Sequence, residues 1–137
     1  DTLEVSLLKT DGSDTGYGSG VNWGIRKNGY KRNGNQAYIP YNVADHKDGF
    51  FPDVNADGTY PVFKVVTKEY DAFYMRQAQA KGKALETPES NAIIGEWIRH
   101  KLGVPAGTYI TKQRLDQYGK TKVLFKKYED GIYTLEN

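Results

Sequence analysis

Short β-forming runs, each cut off within a few residues by Gly, Pro or an Asp-Gly step, recur along this chain and restrict it to a fold of many short strands. In LEVSLL, Leu3, Val5 and Leu7 alternate with polar neighbours, the period-two pattern of a strand with one buried face. VNWGIR and QAYIP read as two more strands, the second stopped by Pro40, which has no N–H to give a ladder. PVFKVV and DAFYMRQA, joined through TKEY, predict a hairpin, and KVLFKKY with IYTLE predicts another around Glu129-Asp130-Gly131. Only two helices interrupt this series. One follows Ser90 and carries Ile93, Ile94, Trp97, Ile98 and Leu102 at helical spacing before Gly103 and Pro105, which makes Trp97 a core residue. The other is KQRLDQY, between Thr111 and Gly119. About seven strands, two short helices and no βαβ alternation predict a mostly β (α+β) barrel formed by one domain over residues 1–137.

Between these elements, YNVADHKDGFFP fits a short helix or turn that delivers Phe50 and Phe51 to the core, and DVNADGTY reads as a turn. DGSDTGYGSG has four glycines in ten residues and almost no aliphatic side chains, so it should protrude as an exposed hairpin or arm. With Cys 0, neither a disulfide framework nor a cysteine-bearing zinc site is available, and a cytoplasmic setting is expected. His46 and His100 lack further ligands at metal spacing and read as surface residues, so no metal or other cofactor is expected. No apolar run approaches a membrane span, and DTLEVSLLKT lacks the head and core of a signal peptide. The start at Asp1 rather than Met suggests a piece taken from a longer chain.

The net charge of +2 does not by itself imply a polyanionic partner, but its distribution is uneven. RKNGYKRNGNQ, residues 26–36, carries four cations and no acid, and Arg76, Lys81 and Lys83 form a second acid-free group. Acids concentrate instead at Asp45, Asp48, Asp53, Asp57, Glu69 and Asp71. Such segregation predicts one basic face able to neutralise phosphates. Two segments combine those cations with amides and hydroxyls. The first, residues 11–36, holds Asp14, Thr15, Tyr17, Ser19, Asn22, Trp23, Arg26, Lys31, Arg32, Asn35 and Gln36. The second, residues 76–91, holds Arg76, Gln77, Gln79, Lys81, Lys83, Thr87, Glu89, Ser90 and Asn91. Arg and Lys suit guanine, Asn and Gln adenine, and Asp and Glu the cytosine amino group, so both segments have the side chains of sequence readout.

Catalytic signatures fail one by one. His46-Lys47-Asp48 spells HKD without the spacing of the phospholipase D motif, and Pro52-Asp53 lacks a following acid-x-Lys. Gly131-Ile132-Tyr133 has no Tyr-Ile-Gly partner behind it. No serine sits in a nucleophile elbow, and DTGYGSGVNWG is not followed by the Lys-Ser/Thr of a phosphate loop. Two other classes fit parts of the composition. Abundant Tyr, Trp23 and many amides suit a carbohydrate-binding β module, and a basic barrel suits an acidic protein partner.

GVNWGIRKNGYKRNGNQAYIP, FFP and QAQAKGKALETPESNAIIGEWIRHKLGVPAGTYITKQRLDQYGKTKV together resemble the C-terminal DNA-recognition domain of BfiI-type and NgoFVII-type restriction endonucleases. NWG, NQAYIP, FFP, GKA, NAIIGEWIR and LDQYGK carry the likeness, which runs from about Leu3 to Leu135. The resemblance implies a seven-stranded open pseudobarrel like that of plant B3 transcription factors, following a phospholipase-D-like nuclease half in the parent chain. It implies a monomeric reader of double-stranded DNA whose N-arm and C-arm grip the major groove like a wrench. On that likeness Asp14, Tyr17, Ser19, Trp23, Arg26 and Arg32 belong to the N-arm. Arg76, Gln77, Gln79, Lys81, Lys83, Glu89 and Asn91 belong to the C-arm or its base.

Overall fold

Alternation in the first residues does what its period requires: Thr2–Ser6 (β1) turns Leu3 and Val5 inward, opposite Phe125 and Val123 of the antiparallel strand Lys122–Glu129 (β6). In this computed structural model, which describes residues 1–25 and 33–137, the other strands are Ile39–Pro40 (β2), Phe63–Val66 (β3), Phe73–Ala78 (β4), Ala84–Glu86 (β5) and Ile132–Glu136 (β7). They form a seven-stranded sheet in the order β1-β6-β7-β3-β4-β5-β2. Its end strands, β1 and β2, lie against each other without a ladder, so the sheet curls into a nearly closed barrel. All neighbours are antiparallel except β3 and β7, where Val65 stands beside Tyr133. The expected mostly β barrel is present.

The two predicted hairpins form as β3–β4 and β6–β7, the latter with a register shift between Lys127 and Glu129. The described part of VNWGIR, residues 21–25, is not the expected strand. Gly20–Asn22 forms a 3-10 turn rather than a strand, because Gly20 takes a left-handed φ of 55° and Val21 and Asn22 are both drawn inside. The count of seven is restored by β5, whose three residues ALE are too few to register as a period in the sequence.

Phe50 and Phe51 fill the barrel, Phe51 lying 4.8 Å from the Phe63 ring, 5.2 Å from Phe125 and 5.3 Å from Tyr133. The Tyr133 hydroxyl donates to the Phe50 carbonyl over 2.5 Å, and burial pushes its pKa up to about 12. Ala92–Leu102 (α1) buries Ile94, Trp97 and Ile98 against this core and stops where Gly103 turns left-handed. The Ser90 hydroxyl accepts from the Ala92 N–H at its start. Lys112–Tyr118 (α2) is capped by the Thr111 side chain, which accepts from the Arg114 N–H, and ends at Gly119.

Trp97 is fully buried, and its indole N–H donates to Glu69 over 3.1 Å while Lys101 grips the other Glu69 oxygen at 2.7 Å. The Lys101 ammonium, with a smaller contribution from the Trp97 indole, holds the Glu69 carboxyl below its ordinary pKa of 4.5. A depressed carboxyl stabilises the fold above the unfolded value and loses that contribution as pH falls through the folded one. Thermal melts taken from about pH 6 down to pH 3 should therefore drop more steeply for the wild type than for Glu69→Gln, the two curves converging at the acid end.

Candidate nucleic-acid interface

The segment after β1 is not free-standing. Lys9 N–H donates to the Asp14 carbonyl and Gly12 N–H to the Lys9 carbonyl, each over 2.8 Å, closing a tight turn. Beyond it the chain is pinned to the approach to α2. The Asn22 amide nitrogen donates to the Ile110 carbonyl at 2.7 Å, the Gly16 carbonyl at 3.0 Å and the Thr15 hydroxyl at 3.2 Å. Its oxygen accepts from the Ile110 N–H at 2.8 Å, and the Thr15 hydroxyl donates to the same Ile110 carbonyl at 2.6 Å. Asp14 accepts from the Lys112 and Thr15 N–H groups, and those two bonds hold its carboxyl below the usual carboxylate range.

Arg99, 2% exposed, braces the same segment from beneath. It donates to the backbone carbonyls of Thr108, Gly95 and Val21 at 3.1, 3.2 and 3.3 Å, so one cation links α1, the loop before α2 and the 3-10 turn. Burial pushes its pKa down to about 10, which leaves it charged at neutral pH. The return path is held too. Asn35 accepts from Gly107 N–H, and Ala37 N–H donates to the Asn91 carbonyl, both at 3.0 Å.

The second segment leaves the barrel along β4 and comes back along β5. Arg76 faces Glu86 across this ladder, its Nε donating to the Glu86 carboxylate at 2.8 Å. At the tip, Gln79 and Lys81 adopt φ of 66° and 62°, a left-handed backbone that non-glycine residues adopt at a cost. For Gln79, with ψ 169°, this is a region that glycine almost alone visits. The turn thus holds Gln79, Lys81 and Lys83 on the exposed side.

The two segments meet. β2, on the return of the first, pairs with β5 of the second through Ile39 with Leu85 and Pro40 with Ala84. A cavity of about 110 Å³ is lined by Trp23 and Tyr38 from one and by Gln79, Glu86 and Asn91 from the other. Tyr38 also lines a cleft of about 440 Å³ together with Lys9, Asp11, Ser19 and Asn42.

Of the residues singled out in the sequence, Trp23, Gln79 and Asn91 come together at the small cavity, Arg76 is its neighbour through Glu86, and Ser19 lies in the adjoining cleft. Tyr17 is exposed and packs against Tyr109, with ring centroids 5.6 Å apart. Gln77 is half-buried beside Leu85 in the ladder, and Glu89 is exposed before α1. Asn22 and Asn35 lie inside, 0% and 8% exposed, with their amides engaged by the protein. They hold the interface in place rather than standing on it. Arg26, Lys31 and Arg32 lie outside the described residues. Sequence reasoning missed Arg99, Glu86 and Lys9. Arg99 does leave a signal, a cation four residues after Gly95 and seven after Ala92, on the small-residue face of α1, whereas Glu86 becomes legible only once the β4–β5 register is known.

The family model of the NgoFVII C-terminal B3-like DNA-binding domain matches residues 1–129. The chain belongs to that family. Membership makes this B3-like domain a DNA-binding module of the kind that serves restriction endonucleases, and gives no support to the carbohydrate-binding alternative. No curated protein matches this B3-like domain in sequence.

Proposed function

We propose that this B3-like domain is the target-recognition part of a restriction endonuclease and reads duplex DNA by inserting residues 11–36 and 76–91 into one major groove. The observation that carries the reading is the cavity shared by Trp23, Gln79, Glu86 and Asn91, which brings both amide-rich segments to the same edge of the barrel. In this reading Arg76, Gln77, Gln79, Glu89 and Asn91 face bases from one side, and Tyr17, Ser19, Trp23, Arg26 and Arg32 from the other. Lys9, Lys31, Lys81 and Lys83 grip phosphates, while Asp14, Asn22 and Asn35 set the position of the first segment. The domain acts as a monomer in the cytoplasm, performs no bond chemistry, and is joined in its parent chain to a phospholipase-D-like nuclease half.

A binding selection on random duplexes, followed by titration of the winner against salt, tests this. Binding should weaken steeply as salt rises, since released counterions drive it. Arg76→Ala should cost about 1–3 kcal/mol and relax the preference at one base position. Lys83→Ala should weaken all duplexes alike and reduce the salt slope by about one. A titration indifferent to both salt and sequence defeats the proposal.

A further inference from the structure

We propose that Glu86 is a positioning residue for DNA reading: it aims Arg76, and so raises specificity while lowering overall affinity. The inference rests on the duplex-reading assignment above and adds a residue to it. Arg76 and Glu86 are register partners on β4 and β5, and the bond between them runs from Nε to one carboxylate oxygen over 2.8 Å. Contact through Nε fixes the plane of the guanidinium. The bond to Glu86 does not engage Nη1 and Nη2, whose outer edge is a parallel pair of donors that matches the O6 and N7 acceptors of guanine.

The placement of the acid argues for the same role. Glu86 lines the cavity between the two segments, where a carboxylate opposes the approach of phosphates. Its side chain is 22% exposed against 45% for Arg76, so the acid is the anchored partner and the cation the one presented outward. The neighbouring turn is held as firmly, since Gln79 and Lys81 keep a costly left-handed backbone just beyond the ladder. A floppy loop would relax such conformations.

The test compares Glu86→Ala with Glu86→Gln, which remove the same charge, on the duplex recovered by selection and on a scrambled duplex of equal composition. Glu86→Ala should lower the preference for the selected duplex about tenfold and bind the scrambled one at least as well as the wild type. Glu86→Gln keeps an oxygen for Arg76 Nε and should keep most of the preference. In an Arg76→Ala background the effect of Glu86→Ala on the preference should vanish, while its effect on overall affinity remains. The proposal is overturned if Glu86→Ala retains the preference, if Glu86→Gln loses as much as Glu86→Ala, or if the loss persists without Arg76. A wild type that prefers no duplex is a different result, and removes the reading on which this one stands.

Discussion

Asn22→Ala should lower unfolding stability by about 3–5 kcal/mol, a large part of what a domain this size has. The Asn22 amide answers both the N–H and the carbonyl of Ile110 and also the Gly16 carbonyl, all where no side chain of alanine can reach. Truncation leaves the Ile110 N–H without the acceptor it has now, and a buried orphan of this kind costs about 1–3 kcal/mol by itself. Urea unfolding followed by tryptophan fluorescence measures the loss. Asn22→Asp sharpens the test, because it keeps the acceptor for Ile110 N–H but turns an oxygen toward the Ile110 and Gly16 carbonyls. It should be no better tolerated than Asn22→Ala. A midpoint shift near zero for both variants would mean that residues 14–22 are held by something other than this amide.

Gly95→Ala should cost about 3 kcal/mol or more, even though alanine favours a helix over glycine by about 1 kcal/mol. Gly95 is buried in α1, and a methyl group there would fall on the Asn35 carbonyl oxygen, with the Arg99 guanidinium 3.1 Å away. The obstacle is main chain, so it cannot swing aside. Either α1 or the segment around Asn35 must move, and the second movement carries Ala37 away from the Asn91 carbonyl that it bonds at 3.0 Å. Because helix propensity acts in the opposite direction, destabilisation in urea isolates the clash. Duplex binding should fall alongside, because the cavity between Trp23 and Gln79 depends on the same spacing. Gly95→Ala with an unchanged urea midpoint would show that the approach of α1 to Asn35 is slack.

Local patterns foretold the parts of this fold that local forces determine. Leu3 and Val5 on β1, the Ile94-Trp97-Ile98 stripe on α1 and the stop of α2 at Gly119 each follow from period or glycine chemistry, and each is where the sequence puts it. What escaped was set by distant partners. Val21 and Asn22 have the look of a strand, but two of the bonds of Asn22 go to a residue 88 positions away, and the backbone bends to deliver it. Asn22 and Asn35 look like surface amides in the sequence because composition does not distinguish an amide that reads a base from one that satisfies a buried carbonyl. Glu86 was invisible for a related reason: its meaning comes from facing Arg76, and three residues of β5 are too few to announce that register.

Pairing β1 with β6 has a consequence for synthesis on the ribosome. Residues 2–6 can find their ladder only after residues 122–126 have been made, so the first strand emerges long before its partner exists. Because β7 also supplies the parallel neighbour of β3, assembly of the middle of the chain waits on the final hairpin as well. Non-local pairing of this sort slows folding, and the nascent chain carries unpaired strand edges until translation passes that hairpin.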